Sequence, residues 1–203
     1  MPASDQAFDR LRELGSALRE DADEWCTGRG FVAPRALLFG YLLYASLQHL
    51  RDAMYRSWFA GVTLAFHEMG HLLFVPLGQT MTILGGSLMQ LIVPIVVGMY
   101  LWFYNHDWFG MVVSGFWLAF STFELATYVA DANREELPLV GLSERPEHDW
   151  STLLTQWHVL NECEHYATVL RTLAGVQALL CSALGAYLLW QLWRLKDVPR
   201  WRI

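Results

Sequence analysis

The segment His67-Glu68-Met69-Gly70-His71 is the strongest candidate for chemistry in this chain. Four residues turn an α-helix by about 400°, so in a helix the two histidines lie one turn apart on the same face. Two imidazole nitrogens at that spacing can bind one Zn²⁺, and the glutamate beside them can take a proton from metal-bound water. This HExxH motif predicts zinc as the cofactor, His67 and His71 as metal ligands, and Glu68 as the catalytic base.

The composition around the motif is that of a membrane protein. Of the 203 residues, 54% are hydrophobic and 17% are charged, against about 25% charged in an ordinary soluble domain. No Lys or Arg occurs between Ser57 and Ala130, and no charged residue occurs between Thr172 and Trp193. A soluble helix needs a polar face, so the pattern argues against a soluble globule. The net charge of −6, without a basic stripe, argues against nucleic-acid binding.

Four segments are long and apolar enough to cross a bilayer, which takes about 20 apolar residues. We predict an all-α, polytopic integral membrane bundle of four to five transmembrane helices, with the HExxH motif inside the first long one. The spans are predicted at about 57–77, 84–104, 108–130 and 167–193, and the short apolar segment 36–50 is a fifth element of undecided depth. Residues 1–32 form an amphipathic N-terminal segment, 33–196 one membrane-embedded domain, and 197–203 a basic C-terminal tail.

The connection 131–150 is the long polar loop of the chain, and it contains Pro138, Gly141 and Pro146. A long loop inside a compact protein is usually functional. Because each membrane crossing reverses the direction of the chain, the first and third long spans end on the same face. The end of the HExxH helix and this loop are therefore predicted to meet on one side of the membrane.

A catalytic zinc site takes three protein ligands and a water, so one ligand must come from outside the motif. The same-face argument restricts the candidates to Asp131, Glu147, His148, Asp149, Glu162, Glu164 and His165. We choose His148, because a neutral imidazole on a Pro-flanked loop can fold down over the metal. Asp131 is the competing ligand, or else a fourth ligand or an outer partner. Asp149 is expected as an outer partner of the metal.

Two further features near the motif bear on substrate and structure. Gly85 and Gly86 open the second span, and residues 80–84 before them could form an extended segment. An extended peptide can pair with such an edge, so both glycines are predicted to line the substrate, with ordinary small-residue helix packing as an equal alternative. Glu124 lies midway along the third span and must face the bundle interior. We expect it to make a structural hydrogen bond.

These features together resemble the site-2-protease class of intramembrane zinc metalloproteases, also called M50-like, and in particular a group of small uncharacterised bacterial members. The resemblance covers about residues 57–154. It depends on the segment Phe66–Gly86, Asp131-Ala132, Leu137-Pro138-Leu139 and His148-Asp149-Trp150. It implies zinc on His67 and His71 and proton transfer by Glu68. The Asn-Pro segment that carries the third ligand of that class is absent, and Asp131 is its nearest positional equivalent.

The leading hypothesis is an intramembrane zinc hydrolase, specifically a metalloprotease that cleaves a membrane-associated peptide. Two alternatives stay open. One is a non-catalytic metal-containing membrane subunit that binds a partner protein. The other is a histidine-box iron oxidase, which would need more histidine clusters than seven scattered histidines provide.

The resemblance implies an integral protein of the bacterial inner membrane, in contact with the lipid bilayer and a peptide substrate. Homo- and hetero-oligomers both stay open. The tail after the last span carries Arg194, Lys196, Arg200 and Arg202. Basic residues favour the cytoplasmic side, so the C-terminus is predicted to be cytoplasmic.

Overall fold

The computed structural model describes residues 3–138 and 148–198, and within these ranges it is helical without a β-strand. The α-helices are α1 (Ala3–Cys26), α2 (Val32–Arg51), α3 (Ala60–Phe74), α4 (Gln79–Phe103), α5 (Trp108–Asp131), α6 (Asp149–Gln156) and α7 (Cys163–Leu195). Short 3₁₀ turns, Val75–Leu77 and Leu160–Glu162, precede α4 and α7. Residues 139–147 of the loop 131–150 and residues 199–203 of the basic tail lie outside the described residues.

Four helical segments in the described ranges are long and apolar enough to cross a membrane: Ala60–Leu77, Gln79–Phe103, Trp108–Asp131 and Leu160–Leu195. They coincide with the four predicted spans, so the helical bundle is confirmed at that level. The uncertain segment 36–50 is also a helix, α2, but it does not qualify as a span. Large apolar side chains such as Leu72, Val96 and Leu179 are exposed, as expected of helices whose outer faces contact lipid.

The predicted extended segment at 80–84 is wrong, because α4 already begins at Gln79. Gly78 adopts φ 93°, a backbone conformation that glycine reaches at little cost, and so lets the chain turn from the 3₁₀ segment into the new helix. The Thr82 N–H then donates to the Gly78 carbonyl at 2.9 Å, the first hydrogen bond of that helix. No strand edge exists here for a substrate peptide to extend.

Helix α5 is the centre of the bundle. In its most apolar stretch 61% of the residues are buried, compared with 22% for α3 with its following turn and 33% for α4. Phe116 and Phe120 are fully buried against α2 and α7. A Cβ at Gly115 would lie 2.5 Å from Cys181 Sγ, so this glycine lets α7 approach closely. Because lipid is as apolar as these side chains, such close packing stabilises the bundle more than burial from water does.

The two ends of the bundle differ. At one end α1 packs against the end of α7, where the Gly28 N–H donates to the Leu195 carbonyl at 3.0 Å, and Trp108 Nε1 donates to Asp21 at 2.8 Å. At the other end α5 finishes, α4 begins and the short α6 packs against both. The HExxH motif lies in the second half of α3, at this second end.

Candidate metal centre

His67 and His71 project from α3 toward α4, where glycine makes room for them. A Cβ at Gly86 would lie 2.6 Å from Nε2 of each histidine, so any larger residue would occupy the space between the rings. At the preceding residue, a Cβ at Gly85 would lie 2.7 Å from the Gly70 carbonyl oxygen. The two glycines predicted to line a substrate thus serve the close contact of two helices. Only Gly86 borders the histidine nitrogens.

The Nδ1 atom of each histidine is held by an acceptor. His67 Nδ1 lies 2.8 Å from Gln90 Oε1, and Gln90 Nε2 donates to the Ser121 carbonyl at 3.0 Å. Since a carbonyl only accepts, that second bond fixes which end of the Gln90 amide faces the ring. His71 Nδ1 donates to the Thr82 carbonyl at 2.9 Å. A neutral ring with its proton on Nδ1 would present an Nε2 lone pair, which is the form that ligates a metal.

Asp149, the first residue of α6, faces both lone pairs. Its Oδ2 lies 3.0 Å from His67 Nε2 and 3.3 Å from His71 Nε2. Burial alone would raise the pKa of Asp149, but hydrogen bonding with the two histidines outweighs burial and holds that pKa below its usual range. A hydrogen bond from either Nε2 needs a second proton on that ring. Three acceptor atoms converge here and need a cation among them, either such a proton or a metal that replaces it.

Glu68 completes the group. One possible ligand atom from each of His67, Glu68 and His71 can be chosen so that all three lie within 4.8 Å of one another. The Glu68 side chain lines a cavity of about 140 Å³ between α3 and α5, and His67 lines the same cavity. A carboxylate beside the histidines at the wall of a water-sized space has the position of a general base. Two imidazoles and two carboxylates beside open space are donors that suit a divalent metal ion, zinc among them.

The structure brings Asp149, and not the predicted ligand His148, into contact with the motif histidines. His148 Nδ1 accepts the Ser151 N–H at 3.2 Å as the N-cap of α6, and its Nε2 faces Asp131 Oδ2 at 3.4 Å. Burial lowers the pKa of His148, although the nearby Asp131 opposes that change. Ligation of a metal by His148 would require the ring to leave both partners. Asp149 is the residue that the chain brings to the two histidines.

Asp131, the other predicted ligand, is engaged elsewhere. Its carboxylate accepts the backbone N–H groups of Glu136 at 3.1 Å and Leu137 at 3.0 Å, just beyond the end of α5. This carboxylate therefore shapes the chain that leaves α5 and faces the His148 ring. Among the remaining candidates, Glu164 pairs with Arg134 at 2.7 Å. No contact with the motif histidines is found for Glu162 or His165, and Glu147 lies outside the described residues.

The sequence analysis did not identify Gln90, Tyr128 or Ser87 as part of this centre. Gln90 orients His67, and its only signal was a buried amide within an apolar span, where polar groups are costly. The Tyr128 hydroxyl accepts the Asp149 N–H at 3.0 Å, and Trp150 Nε1 donates to Ser87 Oγ at 3.0 Å. These last two bonds attach α6 to α5 and to α4. Their pairing depends on tertiary structure, so the sequence carried no sign of it.

The comparisons with known proteins add no family to this picture. No protein-family model, no curated protein and no solved structure matches the chain. The function must be argued from the site itself.

Proposed function

We propose that this chain is a zinc-dependent hydrolase of the membrane, in which His67, His71 and Asp149 bind the metal and Glu68 is the general base. The observation that carries the proposal is the approach of both Nε2 atoms to one Asp149 carboxylate oxygen, with both Nδ1 atoms already engaged by acceptors. A metal ion among these three atoms would replace the proton that otherwise joins them. The substrate class that fits a site between apolar helices is a membrane-associated peptide.

The chemistry divides between the metal and the protein. Bound zinc supplies a Lewis acid that polarises a carbonyl and lowers the pKa of its water. Glu68 would accept the proton of the attacking water at its carboxylate and pass it to the amine that is released when the peptide C–N bond breaks. Gln90 and the Thr82 carbonyl hold the two rings in the ligating tautomer, so neither ring has to reorient during turnover. The cavity beside Glu68 gives the water and one side chain of the substrate room to enter.

The position of Glu68 on the cavity wall favours a hydrolase over a metal-containing subunit without activity. A purely structural zinc site is usually closed by four protein ligands and needs no adjoining cavity. The resemblance to site-2 proteases supports the same reaction class, with a carboxylate as third ligand, supplied here by a residue outside any Asn-Pro segment.

The test uses the purified full chain in detergent or nanodiscs, with metal content and hydrolysis of a labelled transmembrane-peptide pool as readouts. Wild type should hold about one zinc per chain, and His67→Ala or His71→Ala should lose it, because two remaining ligands hold zinc weakly. Glu68→Gln should keep zinc and lose about 10²-fold or more of the activity. His165→Ala is the matched control and should change neither.

Two results would reject the proposal in separable ways. Zinc retained at full stoichiometry in the His67→Ala, His71→Ala double variant would remove the metal site. Hydrolysis by Glu68→Gln at the wild-type rate would leave the metal site and remove Glu68 as its base.

A further inference from the structure

Glu124 is a carboxylate in the bundle interior that the proposed reaction does not use. It lies on α5 between Ser121 and Tyr128, on the face that packs toward α3. Ser121 Oγ is 3.2 Å from Thr63 Oγ1, and the Tyr128 ring centroid is 6.1 Å from that of His67. Glu124 Oε1 is buried and has no hydrogen-bond partner among the described residues. The structural hydrogen bond expected from the sequence is therefore not found for this atom.

The Glu124 side chain lines the same cavity as Glu68 and His67. Apolar residues, including Leu64 and Leu125, form much of the remaining wall. A buried acceptor without a partner is costly in such surroundings, and an ionised one more so. The cavity therefore places one carboxylate oxygen without a partner beside His67 and Glu68, the two residues of the candidate metal centre that line it.

Arg56 is the basic residue among the described residues that line the cavity, and it forms no ion pair with Glu124. It lies in the connection between α2 and α3, and its side chain is exposed. No ion pair within 4.0 Å joins it to Glu124 in the described part of the chain. A cation that enters the cavity would therefore find the Glu124 carboxylate without an ion-pair partner from the described residues.

We infer that Glu124 is a specificity-determining residue, which binds a cationic side chain, Lys or Arg, of the peptide substrate beside the scissile bond. The inference rests on the proposed function and names the substrate class of that site. A cation donates to a carboxylate about twice as strongly as a neutral donor does. It also neutralises the buried charge, so a basic side chain gains more here than a polar one.

The distances along α5 fit this assignment. Glu124 precedes Tyr128 by four residues, which is about 6 Å along the helix axis. An extended peptide advances about 3.3–3.6 Å per residue. The side chain of a substrate residue next to the scissile bond is therefore close enough to reach the Glu124 carboxylate. The flexible four-carbon stem of lysine can pass the apolar wall and place its ammonium group at the carboxylate.

The test measures binding, so it does not depend on turnover. Two dipeptide hydroxamates are compared that differ only in lysine against norleucine next to the zinc-binding group. Wild-type protein loaded with zinc should bind the lysine compound at least about tenfold more tightly, a difference of about 1.4 kcal/mol. Glu124→Gln, which keeps size and removes charge, should abolish that preference. Glu136→Gln, an exposed carboxylate at the same end of the bundle, is the matched control and should keep it.

Each outcome decides something. Equal binding of both hydroxamates by zinc-loaded wild type overturns the role of Glu124 and leaves the metal site standing. Loss of preference in Glu136→Gln as well would assign the effect to general surface charge and also overturn it. Absence of zinc and of hydroxamate binding in wild type would overturn the proposed function first. If Glu124→Gln fails to fold, Glu124→Asp must retain a preference for lysine, and equal binding by that variant counts against the inference.

Discussion

Two helix contacts in the bundle, α5 with α7 and α3 with α4, both depend on a glycine but serve different purposes. In both, a glycine removes a Cβ so that a side chain of the neighbouring helix can enter. Gly115 of α5 admits the Cys181 sulfur of α7, and Gly86 of α4 admits the two imidazoles of α3. The first opening is filled by a group that needs no hydrogen-bond partner. The second is filled by two imidazoles, whose Nδ1 atoms bond to acceptors and whose Nε2 atoms face the Asp149 carboxylate.

The difference shows where chemistry can arise in a bundle held by close packing. Small residues at a helix contact are common in membranes and by themselves predict only proximity. At Gly86 that proximity coincides with Gln90 on the same helix and with Asp149 from α6. A packing contact becomes a candidate metal centre when an acceptor orients each ring through Nδ1 and a carboxylate lies opposite the Nε2 atoms.

Replacing Asp149 should have the largest effect in the α3–α4 region. Asp149→Ala removes the carboxylate that faces both Nε2 atoms and should lower zinc affinity by more than about 100-fold, above the range typical of outer partners. His148→Ala removes the N-cap of α6, worth about 0.5–2 kcal/mol, and the contact with Asp131. It should lower zinc affinity far less, because neither contact involves His67 or His71. Competition against a zinc chelator measures both. A larger loss in His148→Ala would restore the sequence-based choice of ligand.

Exchanging the two glycines for alanine tests the comparison directly. Gly86→Ala places a methyl group 2.6 Å from both ring nitrogens and should reduce bound zinc to a small fraction, with helix content unchanged. Gly115→Ala overpacks an apolar contact and should cost about 1–3 kcal/mol of stability while zinc stoichiometry holds. Metal analysis and thermal unfolding separate the two. If both variants lose stability equally and both keep zinc, Gly86 is a packing residue only.

Two buried glutamines extend the comparison to polar groups. Gln90→Leu removes the acceptor of His67 Nδ1 and should weaken zinc binding by about 10–100-fold. Gln191 of α7 donates to Asp23 at 2.7 Å, far from the motif. Gln191→Leu should therefore alter stability and leave zinc affinity at the wild-type value. Equal zinc affinity in Gln90→Leu and wild type would show that the ring needs no orienting partner.

Trp150→Phe should have the smallest effect. It removes one hydrogen bond, from Nε1 to Ser87 Oγ at 3.0 Å, and keeps most of the ring packing. A single bond of this kind contributes about 0.5–1.5 kcal/mol, so zinc affinity should fall by no more than about tenfold. Calorimetric zinc titration can resolve that change. A loss as large as that of Asp149→Ala would mean that the attachment of α6, rather than the carboxylate, governs the site.

Sequence alone was sufficient for the four long apolar helices and for the order of their crossings. Hydropathy over about 20 residues is a local property that lipid enforces, because backbone groups inside a bilayer must be satisfied within the helix. Crossing parity then placed the end of α3 and the start of α6 together. The contact of Asp149 with His67 and His71 agrees with that placement. The spacing of the HExxH motif likewise fixed a shared helical face, since the period of an α-helix is invariant.

Tertiary structure decided which side chain completes the group and what surrounds it. His148 and Asp149 are neighbours in the chain, so residue type and loop position could not rank them. The choice depends on His148 capping α6 and facing Asp131, which turns the next residue toward the histidines. Tertiary structure also decided the helical state of residues 80–84, which follows from the turn at Gly78. Whether Glu124 Oε1 finds a hydrogen-bond partner depends on how α3, α5 and the connection between α2 and α3 pack together. Local patterns determine helices and faces, whereas the partners of buried polar atoms are determined only when those faces meet.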